Sequence, residues 1–104
     1  MREAKVFVRG SEAGVLREIS KSNSYTFEYL EAYSGLEVSR TMMPGHGKFS
    51  YDTFPPFFEG LLPEGLQLEG LLKGSKIDKN DYFSQLMTVG EDLIGVITVK
   101  EIVR

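Results

Sequence analysis

Few residues in this sequence have the types and spacing that chemistry needs. His46, the one histidine, sits in Gly45-His46-Gly47-Lys48, which has the look of a phosphate-binding loop. Such a loop requires a glycine five positions before its Gly-Lys pair and a Ser or Thr after it. Met42 and Phe49 occupy those two places, so the segment reads as a surface turn. Ser50 and Asp52 beside His46 supply the residue types of a nucleophilic triad, but no nucleophile elbow accompanies them. Asp78-x-Asn80 opens like a calcium loop, yet Tyr82 and Phe83 stand where the next ligand and the turn glycine belong. One histidine and no cysteine exclude two-histidine and thiolate metal sites, disulfides and cysteine nucleophiles. Glu91 and Asp92 are neighbouring carboxylates after a helix end, and adjacency alone does not make them share a proton. There is no dinucleotide fingerprint and no His-Arg-Asp catalytic loop. No catalytic, cofactor-binding or metal-binding residue is assigned, no cofactor is implied, and the expectation is a protein that is not an enzyme.

The chain that carries these residues has 104 positions, which predicts one domain over 1–104. Its 41% hydrophobic and 26% charged residues are ordinary for a globular protein. No apolar run approaches the ~18 residues of a membrane span, and residues 1–5 start no signal peptide, so a soluble, cytoplasmic protein without a membrane partner is expected. Twelve basic against fifteen acidic side chains give a net charge of -3. Residues 1–52 hold seven of each sign, whereas residues 53–104 hold five basic and eight acidic and carry the whole excess. Proteins that grip nucleic acid present a basic face, so direct DNA or RNA binding is not expected.

Period-two alternation dominates the first half. Val6 and Val8 alternate with Lys5, Phe7 and Arg9 over Ala4–Arg9. Residues 10–14 read as a turn-forming loop, and Val15–Ile19 as the hairpin partner. Tyr25, Phe27 and Tyr29 form an aromatic face, and Leu36–Met42 is a fourth candidate strand ended by Pro44-Gly45. In the second half, a short helix starts at Pro55-Pro56 and stops at Pro63. Leu66–Lys73 is a second helix closed by Gly74, and Asp78–Val89 a third, capped by Asp78 or Asn80 and by Gly90. Leu93–Val103 suits a closing strand. The fold class is α+β: an antiparallel sheet, small enough to curl toward a barrel, with two to three short helices in the C-terminal half.

Phe54–Leu72 combines three Phe and six Leu with Gly and Pro breakers and no basic residue, while Glu59, Glu64 and Glu69 punctuate it. Glu-Gly-Leu recurs here at a spacing of five, which turns successive units by about 140° on a helix, so they share no face. Two readings stand side by side. Phe57, Phe58, Leu61 and Leu62 close the aromatic face of the sheet as core, or some of them, with Glu59 and Glu64, meet a partner that offers an apolar patch and a basic rim.

The run Pro55-Pro56-Phe57-Phe58-Glu59-Gly60-Leu61-Leu62-Pro63-Glu64-Gly65 resembles the signature of the N-terminal subdomain of HipA-family toxin kinases. Phe27-x-Tyr29 followed by Leu36–Pro44 is similar to that family's sheet segment, and Asp81–Ile97 resembles its helix, glycine and closing strand. In the fused family a kinase core several times longer follows this subdomain. A free-standing version resembles the small (HipS) subunit of split HipBST toxin–antitoxin systems. There a separate HipT-like kinase toxin and a HipB-like helix-turn-helix DNA-binding protein are the partners. The resemblance implies an antitoxin that binds the kinase and suppresses it; kinases of this family phosphorylate aminoacyl-tRNA synthetases. The alternative is a non-inhibitory structural or substrate-presenting subunit. The partner-binding motif implied is Phe57, Phe58, Leu61, Leu62, Pro63, Glu64 and Gly65, with Leu66, Gln67, Leu68 and Glu69 after it. Pro63–Gly65 and Leu66–Glu69 are the expected contact.

Overall fold

Alternating burial in the N-terminal half lays down most of a five-stranded antiparallel sheet, seen in a computed structural model. The structure describes residues 1–104 except Ser22, His46, Ile94 and Arg104, and the side chains of Gly65, Leu66 and Ser75 are likewise outside the description. The turn and triad readings of His46 therefore lie outside the described residues, as does Ile94 of the family-like segment.

The strands are β1 (Arg2–Val8), β2 (Ser11–Ser20), β3 (Ser24–Tyr29), β4 (Lys48–Tyr51) and β5 (Ile97–Glu101), in the order β4-β3-β2-β1-β5. The sheet is open: β4 and β5 lie at opposite edges, so it does not close into a barrel. One face carries Ala4, Val6 and Val8 of β1, Leu16 of β2, Tyr25, Phe27 and Tyr29 of β3, and Ile97 and Val99 of β5, all buried. This is the aromatic face expected from residues 25–29. The other face is held by ion pairs, with Arg17 2.8 Å from Glu3 and 3.2 Å from Glu28.

Three expectations need correction. Residues 11–14 belong to β2 and not to a loop, and the turn is only Arg9-Gly10, both at positive φ. Position 14 within β2 is a glycine because a Cβ there would lie 2.5 Å from the Glu28 carbonyl oxygen and 2.8 Å from the Phe27 ring. Leu36–Met42 is not a regular strand; it has only an isolated bridge between Ser39 and Met42. The Tyr29 hydroxyl satisfies this segment instead, accepting from the Val38 N–H at 2.7 Å and donating to the Met42 carbonyl. The fourth strand lies later, at Lys48–Tyr51, paired with β3.

The helices are α1 (Pro56–Glu59), α2 (Gly65–Ser75) and α3 (Tyr82–Val89), with a 3-10 turn at Gly90–Asp92. Phe58 of α1 and Phe83 and Leu86 of α3 cover the buried face, whereas no described side chain of α2 belongs to the core. Helix α2 ends past Gly74, at a left-handed Lys76. Helix α3 starts later than expected, because Asp78 and Asn80 form a preceding turn, the Asp78 carboxylate accepting from Asn80 N–H. Asp81 is the cap, accepting from the Ser84 N–H at 3.1 Å. Strand β5 is shorter than the 93–103 expected.

Candidate docking site

Two proline-rich corners fix the motif segment on the core. Pro55 is buried and Pro56 opens α1, so the first turn loses no needed N–H donor. That turn drives Phe58 fully into the core, where its ring centroid lies 5.8 Å from that of Phe27. Phe57 stands beside it edge-on, half-buried. The chain then makes turns through Gly60 and Leu61, with Leu61 N–H to the Phe58 carbonyl and Leu62 N–H to the Glu59 carbonyl. Leu62 is buried while Leu61 and Pro63 stay half-exposed.

This geometry sorts the motif. Phe58 and Leu62 are core and present no free surface. Phe57, Leu61 and Pro63 are partly available, and Glu59, Glu64, Gln67 and Glu69 are exposed. Gly65 and Leu66 begin α2, and their side chains are outside the description. Glu64 takes an extended conformation at the N-terminus of α2 but makes no side-chain capping bond, and its carboxylate has no ion-pair partner among the described residues.

Helix α2 is unusual for its length. Leu68, Leu71 and Leu72, at i, i+3 and i+4, share one side, yet all three are half-buried and none belongs to the core cluster. None of its described side chains is buried, and it carries Gly70 and Gly74 in its body. An 11-residue helix with internal glycines is marginal unless a packed face supports it.

The opposite wall comes from α3 and the turn after it. Phe83 and Leu86 anchor α3 in the core, and Gln85 donates to the Lys79 carbonyl at 3.0 Å. Arg2 clamps its N-terminus: the guanidinium sits 2.9 Å from Asp81 and 2.8 Å from Glu18, and 4.9 Å above the Phe83 ring. Hydrogen bonds that Arg2 donates to Glu18 and Asp81 hold its guanidinium more firmly protonated than usual, against the opposing effect of burial. Burial would raise the Asp81 carboxyl, but hydrogen bonds from Arg2 and Ser84 outweigh it and hold the group below the usual carboxylate range. Tyr25, buried next to Glu18, is pushed up to about 12. At the other end of α3, Gly90 lets the turn press on β5, since a Cβ there would overlap the Val99 carbonyl oxygen. Val89, Asp92 and Leu93 are thereby set facing Leu61, Leu62 and Glu64 across a groove of about 690 Å³. Sequence reasoning missed this second wall. Its one signal was that residues 80–99, like 49–72, contain no Lys or Arg.

Among the described residues no three His, Asp or Glu side chains converge to hold a metal ion, and no described helix is long and apolar enough to cross a membrane.

Comparison with known proteins places the chain in a family. The chain matches the HipA N-terminal domain family over residues 4–100 and belongs to it. A solved structure described as the N-terminal domain of HipA toxin superposes with a TM-score of 0.78 at 30% identity, covering 100% of this chain and 95% of that one. A Haemophilus influenzae protein, described only as uncharacterized, is 32% identical over 101 residues, which make up 97% of this chain and 93% of that relative. The likeness is to the N-terminal domain and not to the kinase domain, and it ties the chain to HipA-type toxin–antitoxin systems.

Proposed function

We propose that this chain is an antitoxin that binds a separate HipT-like serine/threonine kinase and neutralises it, within a tripartite system completed by a HipB-like DNA-binding protein. The observation that carries the reading is the relative of which this chain covers 93%: that protein is little longer than the matched segment, as a separate small subunit would be. Helix α2 supports it, since an under-packed amphipathic helix next to an exposed acidic loop suits a surface completed by a partner. Contact then falls on Phe57, Leu61, Pro63, Glu64 and the first turns of α2 (Gly65, Leu66, Gln67, Leu68, Glu69), while Phe58 and Leu62 hold the loop in place from the core. Suppression follows if the bound domain obstructs the kinase's site, or if it binds an inactive conformation more tightly than the active one.

The test mixes the chain with the HipA-family kinase of its operon and follows phosphate incorporation. Loss of incorporation at an equimolar ratio is expected. Unchanged or increased incorporation within a confirmed complex would instead establish a structural or substrate-presenting subunit.

A further inference from the structure

The groove between the motif loop and the end of α3 has a chemistry of its own. Its apolar floor is Leu61, Leu62, Val89 and Leu93, and its charged rim is Glu64 and Asp92. Both rim residues are exposed, and neither forms an ion pair among the described residues. Among the described residues five carboxylates are ion-paired, Glu3 and Glu28 with Arg17, Glu12 with Lys5, and Glu18 and Asp81 with Arg2, and Glu64 and Asp92 are not among them. The two segments that build the groove, residues 49–72 and 80–99, contain no basic residue from which a partner for Glu64 or Asp92 could come. An apolar floor with an unneutralised acidic rim is the complement of a segment that carries aliphatic or aromatic side chains flanked by Lys or Arg.

The geometry points to this groove as the seat of a basic, apolar segment of the partner kinase, its hydrophobic side chains on Leu61 and Leu93 and its cations on Glu64 and Asp92. The inference rests on the antitoxin reading for the identity of the partner. It adds a second wall, Val89–Leu93, that the motif alone does not include, and it states the chemistry of what enters. Cations at the rim steer encounter and set register, while the floor supplies the burial.

Two measurements on the full chain with its kinase decide it. In the first, Asp92→Lys and Glu64→Lys are titrated against the kinase. Each is expected to weaken affinity by about tenfold with an unchanged melting curve, since both side chains are exposed. In the second, p-benzoylphenylalanine replaces Leu61, and the photo-cross-linked kinase peptide is identified by mass spectrometry. A peptide bearing Lys or Arg beside apolar residues is expected. Wild-type affinity in both charge variants, or a cross-linked peptide without a cation, overturns the groove assignment. Absence of any complex overturns both the groove and the antitoxin reading. If the groove binds the kinase but phosphorylation continues, the groove stands and the antitoxin reading falls. If phosphorylation stops while both charge variants bind as wild type, the reverse holds.

Discussion

At the scale of single residues, the motif divides by burial, and substitutions should divide the same way. Phe58 is fully buried against Phe27, so Phe58→Ala removes a ring from a close-packed site and is expected to cost about 3–5 kcal/mol in chemical denaturation. Glu64→Lys touches an exposed side chain without a capping bond, so the same measurement should move by less than about 0.5 kcal/mol. A large loss of stability from Glu64→Lys would show that its carboxylate has a structural partner. Asp81 offers a prediction in pH. Its carboxyl sits below the usual range in the folded chain, whereas unfolded aspartate titrates near about 3.9. Below that value the unfolded chain binds the extra proton, so this contribution to stability is complete above about pH 4 and is lost as pH falls through the folded value. Asp81→Asn keeps a good N-cap and removes the titration. The stability gap between wild type and Asp81→Asn, followed by urea melts from pH 6 to pH 3, should therefore shrink toward the acid end. A gap that stays constant would show that the Arg2–Asp81 contact contributes nothing through charge.

At the scale of elements, α2 is the weak one. Leu68, Leu71 and Leu72 are half-buried, and nothing lies within 4 Å of a Cβ built at Gly70 or Gly74. Amides of α2 are expected to exchange with solvent much faster than those of β1–β3, and to gain protection when the kinase binds. Replacing both glycines, Gly70→Ala with Gly74→Ala, should raise the helix's stability by up to about 1 kcal/mol per site and slow its exchange in the free chain. Unchanged exchange would mean that packing and not backbone freedom limits α2. The sequence made other elements legible to very different degrees. Tyr25, Phe27 and Tyr29 show their strand openly because a sheet buried on one face must alternate. Gly14 hides inside a strand because what demands it, the Phe27 ring and the Glu28 carbonyl, lies on the neighbouring strand. Leu36–Met42 has the pattern of a strand, but a hydroxyl from Tyr29 takes its backbone groups. Strand β4 is four residues long, too short for its alternation to stand out. The groove follows the same rule: its first wall is one continuous motif, whereas its second wall lies far along the chain and is positioned by tertiary packing, such as that of Gly90 on Val99.

Across the whole molecule, charge is arranged as well as counted. The solvent face of the sheet pairs most of its charge through Glu3–Arg17–Glu28 and Lys5–Glu12, and the net charge of -3 resides in residues 53–104, where the helices lie. A domain built this way presents a negative side to any partner and a nearly neutral one behind it. Attraction between such a side and a basic kinase surface is long-ranged only at low salt, because the screening length shortens from about 30 Å at 0.01 M to about 8 Å at physiological ionic strength. The association rate constant with the kinase, measured by stopped flow from 20 to 500 mM NaCl, should accordingly fall steeply for the wild type. Asp92→Lys should flatten that dependence, whereas Glu28→Gln, which removes an acid from the ion-paired sheet face, should leave the slope as it is. An equal change of slope from both substitutions would mean that only total charge matters. A change confined to Asp92→Lys would locate the steering at the helical side, where Glu64 and Asp92 stand.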